Sequence, residues 1–192
     1  MPKVFKPNPR ITVYDDVFCW KSHYYINEMC TTSAYSIGWA DRVEVKEKNL
    51  HRLIPNKYWP KYNTNKTNNM TVSALSMMNN TFEKLVDDWD QDDLEQAIIN
   101  CDTMASSHYK HAHLNENVLL YYANLKWEDG WGGETIFYDD NGKDIIYTSP
   151  YIPNRLIRFD GHLIHTFNPP SRVADKYRFT ISTFYKRQHK TV

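Results

Sequence analysis

Long apolar runs are missing from this sequence. No stretch of its 192 residues approaches the ~20 consecutive apolar side chains that cross a bilayer as a helix, so no membrane partner is expected. The opening segment Met1-Pro2-Lys3-Val4-Phe5-Lys6-Pro7 lacks the apolar centre of a secretory signal. Cysteine is scarce. Cys19, Cys30 and Cys101 are odd in number and share no close spacing, which predicts free thiols in a reducing cytoplasm and argues against a structural zinc cluster. The Asn-x-Thr sequons at Asn65, Asn69 and Asn79 are then incidental. An excess of one charge is also absent: 23 Lys+Arg balance 23 Asp+Glu, so bulk capture of nucleic acid or of an anionic membrane is not indicated.

What the sequence does contain is a globular composition, 41% hydrophobic and 24% charged, at a length that suits a single domain over residues 1–192. Aromatic residues reach 15%, with 14 Tyr and 6 Trp, enough to line a groove as well as fill a core. Residues 11–18 read as a strand running into a turn, and Lys21 to Met29 as an early helix. Residues 49–70 are rich in Asn, Lys, Tyr and Pro and read as a long surface loop, either a polar insertion or a lid carrying Tyr58, Trp59 and Tyr62. Asn80 with Glu83 forms a capping pattern, and Phe82, Leu85, Val86 and Trp89 recur at helical spacing. A second helical stretch is expected around Leu94, Ala97 and Ile98. The acidic run from Asp87 to Asp93 lacks the central Gly of a calcium loop and reads as a solvated helix face or turn.

From about residue 108 the pattern changes to short strands: 118–122, 134–138, 143–148, 155–159 and 179–185. Turn signals such as Asp129-Gly130, Asn141-Gly142 and Asp160-Gly161 separate them. Helices followed by evenly spaced strands predict an α+β chain, mainly β with N-terminal helices. The helical support would occupy about 1–105 and an antiparallel barrel or jelly-roll core about 106–187.

Histidines cluster in that β-rich half. In a strand, residues two apart share a face, so His111 and His113 would present two imidazoles side by side. A third ligand from a distant strand would close one face of an octahedron and leave the opposite face open, as non-haem iron requires; zinc and copper accept such a pair too. The same period of two places Arg178 and Thr180 together, a guanidinium and a hydroxyl suited to a small carboxylate.

Leu119-Leu120-Tyr121-Tyr122-Ala123-Asn124-Leu125-Lys126-Trp127, Trp131-Gly132-Gly133-Glu134-Thr135-Ile136-Phe137, Pro153-Asn154-Arg155-Leu156-Ile157-Arg158-Phe159, His165 and Arg178-Phe179-Thr180 form an ordered set. That set resembles the core of the prolyl-4-hydroxylase-like 2-oxoglutarate/Fe(II) dioxygenases, closest to small bacterial and phage-type members. The resemblance covers roughly residues 105 to 187. It implies a double-stranded β-helix, an Fe(II) centre, 2-oxoglutarate and molecular oxygen as reactants, and hydroxylation of an unidentified substrate, either a peptide (prolyl residues by default) or a small molecule. It also implies that His165 is the distal metal ligand, that Arg178 and Thr180 receive the far carboxylate of 2-oxoglutarate, and that Tyr121 or Tyr122 lines the cosubstrate pocket. His162 lies off the matching position.

One departure stands out: the family's His-x-Asp pair does not occur. Three placements compete for it, namely His111-Ala112-His113, His113-Leu114-Asn115 with Glu116 adjacent, and His108-Tyr109-Lys110. The first is preferred, because two same-face imidazoles already make a competent pair. The metal set would then be His111, His113 and His165. A non-catalytic binding or structural module with a vestigial site is the alternative from another class, and a cupin-like three-histidine dioxygenase that needs no 2-oxoglutarate is a third reading.

Overall fold

Strand β11 (Arg178–Lys186) turns alternate side chains into two different interiors and so organises the molecule. A computed structural model describes residues 1–37, 50–55, 69–106 and 108–186. Along the chain these residues form β1 (Lys3–Asn8), β2 (Ile11–Asp15), α1 (Trp20–Thr31), β3 (Ser36–Ile37), β4 (Leu50–Pro55), α2 (Asn69–Leu85), a 3-10 turn at Gln91–Asp93 and β5 (Leu94–Asp102). There follow β6 (Glu116–Tyr122), β7 (Thr135–Tyr138), β8 (Ile145–Ser149), β9 (Leu156–Asp160), β10 (His165–Phe167) and β11. Among the described residues, no helix is long and apolar enough to cross a membrane.

The strands make two sheets. The larger runs β1-β2-β9-β6-β11-β5-β4-β3, and the smaller runs β10-β7-β8. All the pairings are antiparallel. An isolated bridge between His111 and His165 adds a fourth, one-residue rung to the free side of β10. The sheets face each other over a core that includes Ile98, Val118, Leu120, Tyr122, Phe137, Ile157, Phe159 and Phe184. On the other face of the large sheet, α1 and α2 bury Ile26, Met29, Ala74, Leu75, Met78 and Phe82 against Ala97, Ile99, Leu119, Tyr121, Ile181 and Tyr185. The central strands of the large sheet are therefore buried on both sides. They read as nearly continuous apolar runs instead of alternating ones.

That two-sided burial explains the clearest correction to the sequence reading. Leu94, Ala97 and Ile98, expected on a helix, lie in β5, where Ile98 faces the sheet interface while Ala97 and Ile99 face the helices. Buried strands and buried helices share such apolar runs, and periodicity cannot separate them. The early helix is α1, close to its expected bounds. The helix expected from Asn80 instead begins at Asn69, so Asn80 lies inside α2 and does not cap it. Trp89 lies beyond the helix end and donates its indole N–H to Asn79 Oδ1 at 3.1 Å. Residues 50–55 of the expected loop form β4 and pair with β5, whereas Tyr58, Trp59 and Tyr62 lie outside the described residues. The first 105 residues thus supply strands β1 to β5 as well as both helices.

Candidate metal centre

His111, His113 and His165 converge, each offering one nitrogen, and these atoms all lie within 4.8 Å of one another. Ring centroids are 4.3 Å apart for His111–His165, 4.9 Å for His111–His113 and 5.2 Å for His113–His165. The His-Ala-His segment is not the regular strand expected from its spacing. Three backbone hydrogen bonds hold it in place: His111 N–H to His165 O at 3.0 Å, His165 N–H to His111 O at 2.9 Å, and His113 N–H to Gly161 O at 2.6 Å. The last of these bonds requires a close approach. A Cβ on Gly161 would lie 2.5 Å from the His113 carbonyl oxygen and 2.3 Å from that of Glu116.

The protonation state suits a metal. The Nδ1–H of His165 donates to the Leu163 carbonyl at 2.8 Å, and that of His111 to the Tyr109 carbonyl at 3.2 Å. A ring held this way keeps its Nε2 lone pair for an ion. Burial pushes the pKa of His165 well below 6.5, and the neighbouring His111 and His113 push it the same way, against the opposing Leu163 carbonyl. The edges of Phe159 and Phe184 pack against His165 and His113 respectively. The donor set is three imidazoles within reach of one ion, which fits Fe(II) or another first-row divalent metal.

A cavity of about 100 Å³ opens from the triad and continues to Arg178 and Thr180, with Leu120, Thr135 and Phe167 among its walls. Arg178 is buried, and its ionic partner is Asp102: Nη1–H to Oδ2 measures 2.7 Å, with side-chain exposures of 3% and 2%. Its Nε–H donates to the Gly133 carbonyl at 2.9 Å and an Nη2–H to Thr135 Oγ1 at 3.3 Å. Thr180 Oγ1 accepts from Asn100 Nδ2 at 3.2 Å, and the same amide reaches Ser182 Oγ.

Tyr121 is a correction. It does not line this cavity, because odd-numbered residues of β6 turn to the helix side. Its phenolic O–H lies 2.6 Å from His23 Nδ1 and 3.1 Å from Asn154 Oδ1. Tyr122 points the other way and donates to Thr135 Oγ1 at 2.7 Å, so it supports the cavity wall from behind. The rival ligand placements disperse: Leu114 and Asn115 are exposed, and Lys110 Nζ donates to the Gly142 carbonyl. His162 Nδ1 lies 3.5 Å from Asp160 Oδ1 and is not one of the three converging histidines. Sequence reasoning missed Asp102, Asn100 and Ser182. Asp102 carries no local signal, because its partner is on another strand 76 residues away. Asp88 lies in a turn, one of the two expected readings of the acidic run, and also accepts from Arg158, Asn117 and Tyr185.

No protein-family model and no curated protein matches the chain. Solved structures do. A Pseudomonas putida prolyl-4-hydroxylase aligns with TM-score 0.63 at 12% identity, covering 93% of each chain. A prolyl hydroxylase from Trichoplax adhaerens, solved in complex with a hypoxia inducible factor oxygen degradation domain peptide fragment, aligns at 0.66 and 13% identity, covering 92% of this chain and 83% of its own. A 2OG-Fe(II) oxygenase family oxidoreductase from Burkholderia pseudomallei aligns at 0.65 and 11%, covering 93% and 85%. At such identities the likeness concerns the backbone. With its helices against one face of two opposed antiparallel sheets, the chain has the β-rich jelly-roll fold of the 2-oxoglutarate/Fe(II) oxygenases.

Proposed function

We propose that this protein is an Fe(II)- and 2-oxoglutarate-dependent dioxygenase that hydroxylates a C–H bond of its substrate. The observation that carries this reading is the convergence of three imidazoles on a cavity ending at Arg178 and Thr180, within an oxygenase fold. His111, His113 and His165 would hold the iron, whose chemistry is the activation of oxygen. Arg178 and Thr180 line the end of the cavity that the far carboxylate of 2-oxoglutarate would reach. Phe137, Phe159 and Phe184 pack against the rings of the triad and supply an apolar wall. Prolyl residues of a peptide or protein are the substrate class favoured by the named structures, one of which holds a peptide. Cys19, Cys30 and Cys101 form no disulfide with one another, which favours a reducing cytoplasm.

The test is anaerobic Fe(II) titration with and without 2-oxoglutarate, followed by the metal-to-ligand charge-transfer band. Iron binding with a 2-oxoglutarate-induced band supports the oxygenase, and His165→Ala should abolish both. A second reading, a non-catalytic module with a vestigial site, is favoured by one observation: Arg178 already holds a carboxylate. Failure to retain iron would select it. Iron retention with no response to 2-oxoglutarate would point to a three-histidine oxygenase that does not use that cosubstrate.

A further inference from the structure

We propose that Asp102 is a specificity-determining residue: by holding Arg178 it makes the cavity nearly indifferent to a distal carboxylate, so a 2-oxo monocarboxylate binds about as well as 2-oxoglutarate. The pairing is built into the sheet. Arg178 and Asp102 are register partners on β11 and β5, both face the cavity, and both are almost wholly buried. A second carboxylate brought to Arg178 must share the guanidinium with Asp102 at short range, where like charges in a poorly solvated site repel.

Charge placement leads to the same conclusion. A centre with two histidines and one carboxylate carries its anion on the metal and leaves the arginine to the cosubstrate. Here the ligands are three imidazoles and the carboxylate sits on the arginine, so the two ends of the cavity have exchanged character. A 2-oxo acid would find positive charge where its keto acid end chelates, and an arginine already paired with a carboxylate where its other end lies. Thr180, Ser182 and Asn100 supply hydroxyl and amide groups there, which suit an uncharged tail.

This inference rests on the metal-centre reading above, and the following experiment separates the two. Full-length protein loaded anaerobically with Fe(II) is titrated with 2-oxoglutarate and with 2-oxopentanoate, which has the same chain length and no distal carboxylate. Binding is read by calorimetry and by the charge-transfer band. Dissociation constants within about threefold of each other are expected for the wild type, and Asp102→Asn should shift the preference toward 2-oxoglutarate by about tenfold or more. A wild type that binds 2-oxoglutarate more than about thirtyfold tighter overturns the inference and leaves the oxygenase reading standing. Binding of neither acid by iron-loaded protein overturns both. The wild-type ratio needs no variant, so misfolding of Asp102→Asn does not spoil the test.

Discussion

His111 and His165 exchange both backbone hydrogen bonds across a single antiparallel bridge, at 3.0 and 2.9 Å, while their rings stand 4.3 Å apart. One ligand thus positions the other through the main chain, and the pair is preorganised before any metal arrives. Loss of the His165 imidazole leaves that main-chain bridge in place and removes a metal donor, together with the ring's bond to the Leu163 carbonyl. His165→Ala should weaken Fe(II) or Co(II) binding by at least about 100-fold with an unchanged far-ultraviolet spectrum. Metal titration checks this, and near-wild-type affinity would show that the triad is not the site.

Gly161 lies beneath the His113 segment. A methyl group at this position would meet the backbone oxygens of Glu116 and His113, which a rotamer change cannot move away. Gly161→Ala should therefore separate the two chain segments, destabilising the fold by about 1–3 kcal/mol and lowering metal affinity together with it. Chemical denaturation and metal titration of the same variant measure the two effects.

Two buried histidines make the metal-free protein acid-sensitive. Burial lowers the pKa of His165, and also of His23, where the Asn124 carbonyl opposes the shift. Both rings are neutral in the fold, whereas in the unfolded chain they take up protons near the ordinary value of 6.5. As pH falls below that value the unfolded chain binds more protons, so stability declines from there down through the folded-state pKa values. Above it these two groups contribute a flat profile. Urea denaturation across this range should show the decline, and His23→Gln should reduce its slope. A profile equally steep in the variant would remove His23 from the account.

Metal binding should stabilise the fold, because the ligands come from two segments distant in sequence, His111 with His113 and then His165, that meet only in the native state. Ion at about 100 times its dissociation constant contributes roughly 2.7 kcal/mol. For a domain of this size that raises the melting temperature by about 5–10 °C. Calorimetry before and after chelation checks the shift, and an unchanged transition would mean that no ion is held.

Asn154 joins three elements from a left-handed backbone conformation with φ of 64°. Its amide accepts from the Phe18 N–H and the Tyr121 O–H and donates to the Phe18 carbonyl. Asn154→Ala should cost about 2–4 kcal/mol, the lost hydrogen bonds adding to the conformational penalty. Asn154→Gly should recover the conformational part, and equal losses in both would assign the whole effect to the side chain.

The sequence by itself determined the strand-rich second half, the His111–His113 pair, the distal His165 and the shared face of Arg178 and Thr180. Arg178 and Thr180 depend on a spacing of two along a strand, which survives folding unchanged; His165 came from the family resemblance, and the His111–His113 pair converges on it from a segment that is not a regular strand. Only the tertiary structure decided that Tyr121 belongs to the helix side, that Leu94 to Asp102 is a strand, and that Asp102 meets Arg178. A strand buried on both faces hides which face looks inward, and an ion pair between distant strands depends on register, which no local pattern encodes. The three histidines could be read from the chain, but the charge at the opposite end of their cavity appeared only once β5 lay beside β11.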